Sequence, residues 1–110
     1  MNSKQKGSAA EYELTAILRD KGYAAERNDQ KYVSGFENPD VSLPGVHIEV
    51  KRTEALRLYD ALYQAVNDSN RRAMPIVAHR KNNAPWVIIL RLNDFLTLYR
   101  NTFKAEDPDL

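Results

Sequence analysis

Asn38 to Thr53 reads NPDVSLPGVHIEVKRT, and the spacing of its apolar residues decides the fold. Val41 and Leu43 alternate with polar residues, and so do Val46, Ile48 and Val50 after the Pro44-Gly45 break. That alternation predicts two short strands, Val41–Leu43 and Val46–Lys51, joined by a tight turn and each apolar on one face only. Pairing Leu43 with Val46 sets Ser42 beside His47, Val41 beside Ile48 and Asp40 beside Glu49. Both strands then turn their apolar side chains to one face, and Asp40, Glu49 and Lys51 gather on the other. Pro-Gly favours a type II turn, whose twist fits a two-residue hairpin poorly, so a bulge or longer loop would shift this register.

The grouping is electrostatically unbalanced. Cβ atoms of directly opposed residues in an antiparallel pair lie roughly 4.5–5.5 Å apart, and like charges there destabilise the sheet. Two carboxylates so placed need a proton or a cation between them. Oxygen ligands suit a hard ion, Mg²⁺ first, which takes one or two protein carboxylates plus waters and phosphate oxygens. Lys51 points the same way as Glu49, about 6.6 Å further along the strand. A carboxylate pair for a metal with an ammonium beside it is equipment for phosphodiester hydrolysis.

The rest of the composition narrows the setting. With 110 residues the chain has room for one domain, 1–110, whose limited core dimerisation would extend. It is 43% hydrophobic and 28% charged, as ordinary globular proteins are. The absence of cysteine excludes disulfides and thiolate metal sites. No apolar run approaches the ~18–20 residues of a membrane span, and Met1 to Lys6 lacks an apolar signal core, so a cytoplasmic protein is expected. A net charge of +1 means that any basic surface for nucleic acid must be local.

Along the chain, residues 1–6 and 104–110 read as flexible tails, the first of them basic through Lys4 and Lys6. Ser8 and Glu11 fit a capping box, and Leu14, Ile17 and Leu18 supply the stripe of a helix from about Ala9 to Lys21, stopped by Gly22. Tyr23 to Arg27 reads as a strand and Asn28 to Pro39 as a long polar loop. After the hairpin, Thr53 fits the cap of a second helix with Ala55, Tyr59, Leu62 and Val66 inward, ending near Asp68 to Asn70. Met74 to Arg80 and Trp86 to Arg91 read as strands, and a last helix starts at Leu92-Asn93. Trp86 fits the core or a dimer interface, and Tyr59 and Tyr63 fit the core. The order is αβββαββα, an α/β fold with a mixed central sheet of about five strands flanked by helices.

Pro39-Asp40 followed by Glu49-Val50-Lys51, behind a helix bearing Glu11, forms a P-D-(x)-E-x-K signature. The chain thereby resembles the PD-(D/E)xK nuclease superfamily, with its restriction-endonuclease-like core. Lys6-Gly7-Ser8-Ala9-Ala10-Glu11, continuing to Leu18-Arg19-Asp20-Lys21-Gly22-Tyr23, is similar to the opening of the archaeal-type Holliday junction resolvases. The similarity covers roughly Lys6 to Gln64. It implies that Asp40 and Glu49 bind the metal, with the Val50 carbonyl as a further ligand, and that Lys51 orients or activates the attacking water. It implies that Glu11 is the helix carboxylate of the site, a role compatible with capping. Ser34 matches a substrate-facing loop serine and Gln64 a glutamine on the following helix. The chain departs from the family in a shorter C-terminus and a weakly basic balance.

These readings combine into an expected Mg²⁺-dependent endodeoxyribonuclease, with Mn²⁺ substituting, that cuts branched DNA, a four-way junction first, as a homodimer. The competing readings are a nuclease for flaps, nicks or a duplex site, and a non-catalytic DNA-binding module of the same fold. Arg52, adjacent to the motif, is the basic residue placed best for a phosphate track, with Lys6 a further DNA-binding candidate, each phosphate neutralised adding about 0.9 to the salt slope. The bland alternative, a Glu49–Lys51 surface pair with Asp40 as a turn residue, explains each residue singly but not their convergence. His47 shares the polar face and reads as a bystander or a substrate contact; His79 has less claim to a role.

Overall fold

A computed structural model of the chain describes the backbone of residues 3–29, 32–33 and 36–103, and the side chains of 5–29 and 38–103. In chain order the elements are α1 (Ser3–Asp20), β1 (Glu26–Arg27), β2 (Tyr32–Val33), β3 (Phe36–Glu37), β4 (Val41–Leu43) and β5 (Val46–Arg52). Then follow α2 (Leu58–Ser69), β6 (Met74–Arg80), β7 (Val87–Ile89) and α3 (Leu92–Phe103). The central sheet is five-stranded and mixed, in the order β1-β4-β5-β6-β7. β5 and β6 are parallel neighbours joined through α2, and the other three pairings are antiparallel. This is the α/β architecture expected from the sequence.

The hairpin holds the register that its apolar alternation predicts: Leu43 opposite Val46, Ser42 opposite His47, Val41 opposite Ile48. No bulge intervenes. Gly45 takes φ +79°, the left-handed conformation that the second position of a Pro-Gly turn requires. Alternation then sorts the side chains of β5. Ile48 and Val50 pack with Val41, Ile76 and Ala78 beneath Ala10 and Leu14 of α1. On the opposite face Ala61 and Ala65 of α2 sit against Val77 of β6. His47 and Glu49 share that second face and are buried, although it is the polar face of the strand.

Several boundaries differ from expectation. α1 begins at Ser3, so Ser8 lies inside the helix and the Ser8–Glu11 capping box does not form. Residues 3–6 are therefore helix where a tail was expected; residues 104–110 lie outside the described part. The polar loop 28–39 carries the small β2–β3 pair as a separate two-stranded sheet. Thr53 caps nothing: α2 starts at Leu58 after Arg57, and the Thr53 carbonyl instead accepts from His79 Nε2 at 2.8 Å. The buried stripe of α2 is Ala61, Leu62, Ala65 and Ser69. Its small residues let the helix approach the sheet closely and turn Tyr59 and Tyr63 outward, 67% and 58% exposed, where core positions were expected. The C-terminus of α2 closes as predicted, with Asn70 in the left-handed conformation at φ 48°.

Trp86 lies ahead of β7, partly buried against the α1 side of the core, and donates from Nε1 to Glu13 Oε1 at 2.8 Å. α3 is an outlier, because none of its residues is buried. Phe95, Tyr99 and Phe103 form an exposed row with ring centroids 6.1 and 4.8 Å apart.

Candidate active site

Asp40 occupies the bend immediately before β4 and Glu49 the middle of β5, so the hairpin register brings the two carboxylates side by side. The Val50 N–H donates to Asp40 Oδ2 at 2.8 Å and fixes that carboxylate across the hairpin. A side-chain hydrogen bond joins Asp40 to Glu49. Burial, the Glu49 charge and that shared bond together raise the Asp40 pKa from 3.8 to about 6, against the Val50 N–H and Lys51, which favour ionisation. Asp40 and Glu49 thus form the unbalanced pair that the sequence implied.

Lys51 lies on the same face of β5, where Nζ donates to Gln64 Oε1 of α2 at 2.8 Å. Glu11 comes from α1 and is held by Arg27, whose Nε donates to Glu11 Oε1 at 3.1 Å. Burial and the nearby Asp40 raise the Glu11 pKa, while Arg27 opposes them. Glu11, Arg27, Asp40, Glu49, Lys51 and Gln64 all line one open cleft of about 320 Å³. Ser8 lines it too, a position it reaches because α1 extends past it.

Not every candidate converges there. Lys6 lines a separate groove with Arg52 and Arg80 beside α1. Arg52 is 15% exposed and tied to Glu54 at 3.3 Å, to the Arg80 carbonyl at 3.4 Å and to Asn82 at 2.5 Å. Its guanidinium closes the end of the sheet and does not reach the cleft. Ser34 lies outside the described residues. His79 is occupied by the Thr53 carbonyl.

Two contacts were not foreseen. Arg27 stacks over the Tyr12 ring at 4.3 Å, pairs with Asp29 and clamps Glu11. It ends β1, whose pairing of Arg27 with Val41 sets it next to Asp40, a juxtaposition that needs the sheet order. His47 Nε2 lies 2.8 Å from Glu49 Oε1, so the strand histidine meets a site carboxylate rather than open cleft.

Among the described residues, no group of three or more His, Cys, Asp or Glu side chains is gathered tightly enough to enclose a metal. The site offers a carboxylate pair, open on the cleft side and short of positive charge. That donor set fits a hard divalent cation that keeps most of its waters, and it does not fit a closed zinc-type cage.

No family model matches the chain, and no curated protein does. Among solved structures, its fold matches Hjc, a Holliday junction resolvase from the archaeal hyperthermophile Archaeoglobus fulgidus. The match has a TM-score of 0.59 and 29% identity, and covers 76% of this chain and 76% of that one.

Proposed function

Because this chain resembles the archaeal-type Holliday junction resolvases of the PD-(D/E)xK superfamily in fold and motif, we propose that it is a metal-dependent endodeoxyribonuclease acting on branched DNA. The preferred substrate is a four-way junction, cut symmetrically by a homodimer. The observation that carries this reading is the shared cleft of Asp40, Glu49 and Lys51.

Asp40, Glu49 and the Val50 carbonyl would hold the metal, Mg²⁺ or in its place Mn²⁺. When bound, the ion supplies Lewis acidity to the scissile phosphate and to an attacking water. Lys51, steadied by Gln64, orients that water and offsets the negative charge developing on the phosphoryl oxygens. Asp40 would have to be ionised to hold an ion, so binding would release the proton that burial and the Glu49 charge favour on it. Arg27 keeps Glu11 turned into the cleft beside Asp40. Lys6 and Arg52 would follow the phosphate backbone outside the cleft.

α3 supports the homodimer. A helix of 12 residues is marginal in water unless it packs, and this one has no buried residue while exposing Leu92, Phe95, Leu96, Tyr99 and Phe103. A second copy docked on that ridge would stabilise it and set two cleavage sites at a fixed separation. Such a pair reads a junction by shape and backbone.

The test is cleavage of labelled four-way junction, flap and linear duplex in Mg²⁺. Paired symmetric nicks confined to the junction are expected. Equal cutting of all three would keep the nuclease and remove the junction preference. Tight junction binding with no cut in either Mg²⁺ or Mn²⁺ would leave a DNA-binding module of the same fold.

A further inference from the structure

His47 and Glu49 are next-but-one neighbours on β5, so alternation puts both on the α2 face. Their side chains are 4% and 5% exposed, and Nε2 lies 2.8 Å from Oε1. An ionised carboxylate only accepts, so the imidazole must carry its proton on Nε2 and donate it. Glu49 is then restrained through Oε1 by its own strand, while its carboxylate also meets Asp40 and borders the cleft. Without the imidazole, Oε1 of this buried carboxylate would lose its donor, and the contact with Asp40 alone would hold the group. His47 itself is absent from the lining of the cleft and borders instead the neighbouring pocket that shares Asn38 and Pro39 with it.

We infer that His47 is a positioning residue: its Nε2–H holds Oε1 and fixes the Glu49 carboxylate, which would bind a metal in the cleft. The inference rests on the reading of Glu49 as a metal ligand. Partners that orient a ligating side chain characteristically change metal affinity or activity by about 10–100-fold when removed. A merely structural pair would lower stability and leave the affinity of the folded protein untouched.

The experiment is isothermal titration of Mn²⁺ into DNA-free protein, wild type against His47→Leu, His47→Gln, His47→Asn and Glu49→Gln, with thermal melting of each. His47→Leu fills the buried volume without a donor, and its Mn²⁺ dissociation constant is expected to rise about 10–100-fold. His47→Gln restores an N–H at similar reach and should recover most of that loss; the shorter His47→Asn should not. Cleavage by His47→Leu should return as Mn²⁺ is raised, with KM for DNA unchanged. A folded His47→Leu that binds Mn²⁺ as wild type does would overturn the inference while Glu49→Gln still lost binding. Should His47→Leu fail to fold, equal affinities for the Gln and Asn variants would overturn it instead. If Glu49→Gln binds Mn²⁺ normally, the metal site itself is misread, a failure distinct from that of His47.

Discussion

The backbone N–H of Val50 donates to Asp40 Oδ2 at 2.8 Å, tying a carboxylate just outside β4 to the middle of β5. The contact explains why Asp40 stays beside Glu49 despite their repulsion. A hydrogen bond to the ionised form lowers a carboxyl pKa, yet burial and the Glu49 charge outweigh it and carry Asp40 to about 6. The hairpin holds two acids together before anything neutralises them.

That arrangement has a signed consequence for stability. Between roughly pH 4 and 6 the folded protein binds more protons at Asp40 than the unfolded chain, whose carboxyl titrates near 3.8. Stability from this group therefore falls as pH rises through the window and is lowest above it. Asp40→Asn keeps an acceptor for Val50 and removes the charge. In EDTA at pH 8 it should be more stable than wild type, by up to about 3 kcal/mol, and the advantage should vanish near pH 4. A variant less stable than wild type at pH 8 would show that the pair is not repulsive.

Metal binding should release protons for the same reason. Below about pH 6, the Mn²⁺ binding enthalpy of wild type should vary with the ionisation enthalpy of the buffer, and at pH 8 it should not. Buffer-independent heats at both pH values would place the ion elsewhere.

Lys51 and Gln64 should separate in rate. Lys51→Ala removes the ammonium and should cost about 10²–10³ or more in kcat, leaving junction affinity and folding nearly unchanged. Gln64→Ala leaves Lys51 charged but without its 2.8 Å acceptor, so a smaller loss of roughly tenfold is expected. Single-turnover cleavage with a parallel mobility-shift assay reads both. Normal cutting by Lys51→Ala would defeat the mechanism.

Gly45 tests the hairpin. An added Cβ meets nothing within 4 Å, so Gly45→Ala would strain only the backbone at φ +79°. Urea unfolding should show a loss of about 1–2 kcal/mol. An unchanged midpoint would mean that the turn relaxes into another conformation.

The exposed aromatic row of α3 makes a prediction about assembly. Sedimentation velocity should find a dimer for wild type and a monomer for Phe95→Glu/Tyr99→Glu, with a loss of helical circular dichroism in the variant as α3 frays. A dimer that survives both charges would move the interface away from this helix.

Period-two alternation sufficed to place β4 and β5 in register, because a slip of one residue would have turned Val41 and Ile48 out of the core. The same local rule put Asp40, Glu49 and Lys51 on one face, and the motif built on them resembles a known nuclease family. The turn-rich patch Asp68 to Asn70 likewise marked the end of α2, where Asn70 takes the left-handed conformation. The other contacts join residues far apart in the chain. Arg27 reaches Glu11 because β1 pairs with the outer edge of β4, and Trp86 reaches Glu13 from the far end of the chain. Tyr59 and Tyr63 were misplaced because apolar spacing on α2 fits more than one stripe, and close packing against Val77 selects the one with Ala61 and Ala65. The burial of Glu49 follows from α2 covering the polar face of β5, which alternation within the strand cannot foresee. Local periodicity settled which side chains share a face, and tertiary packing alone decided what lies over that face, because it depends on elements brought together from the whole chain.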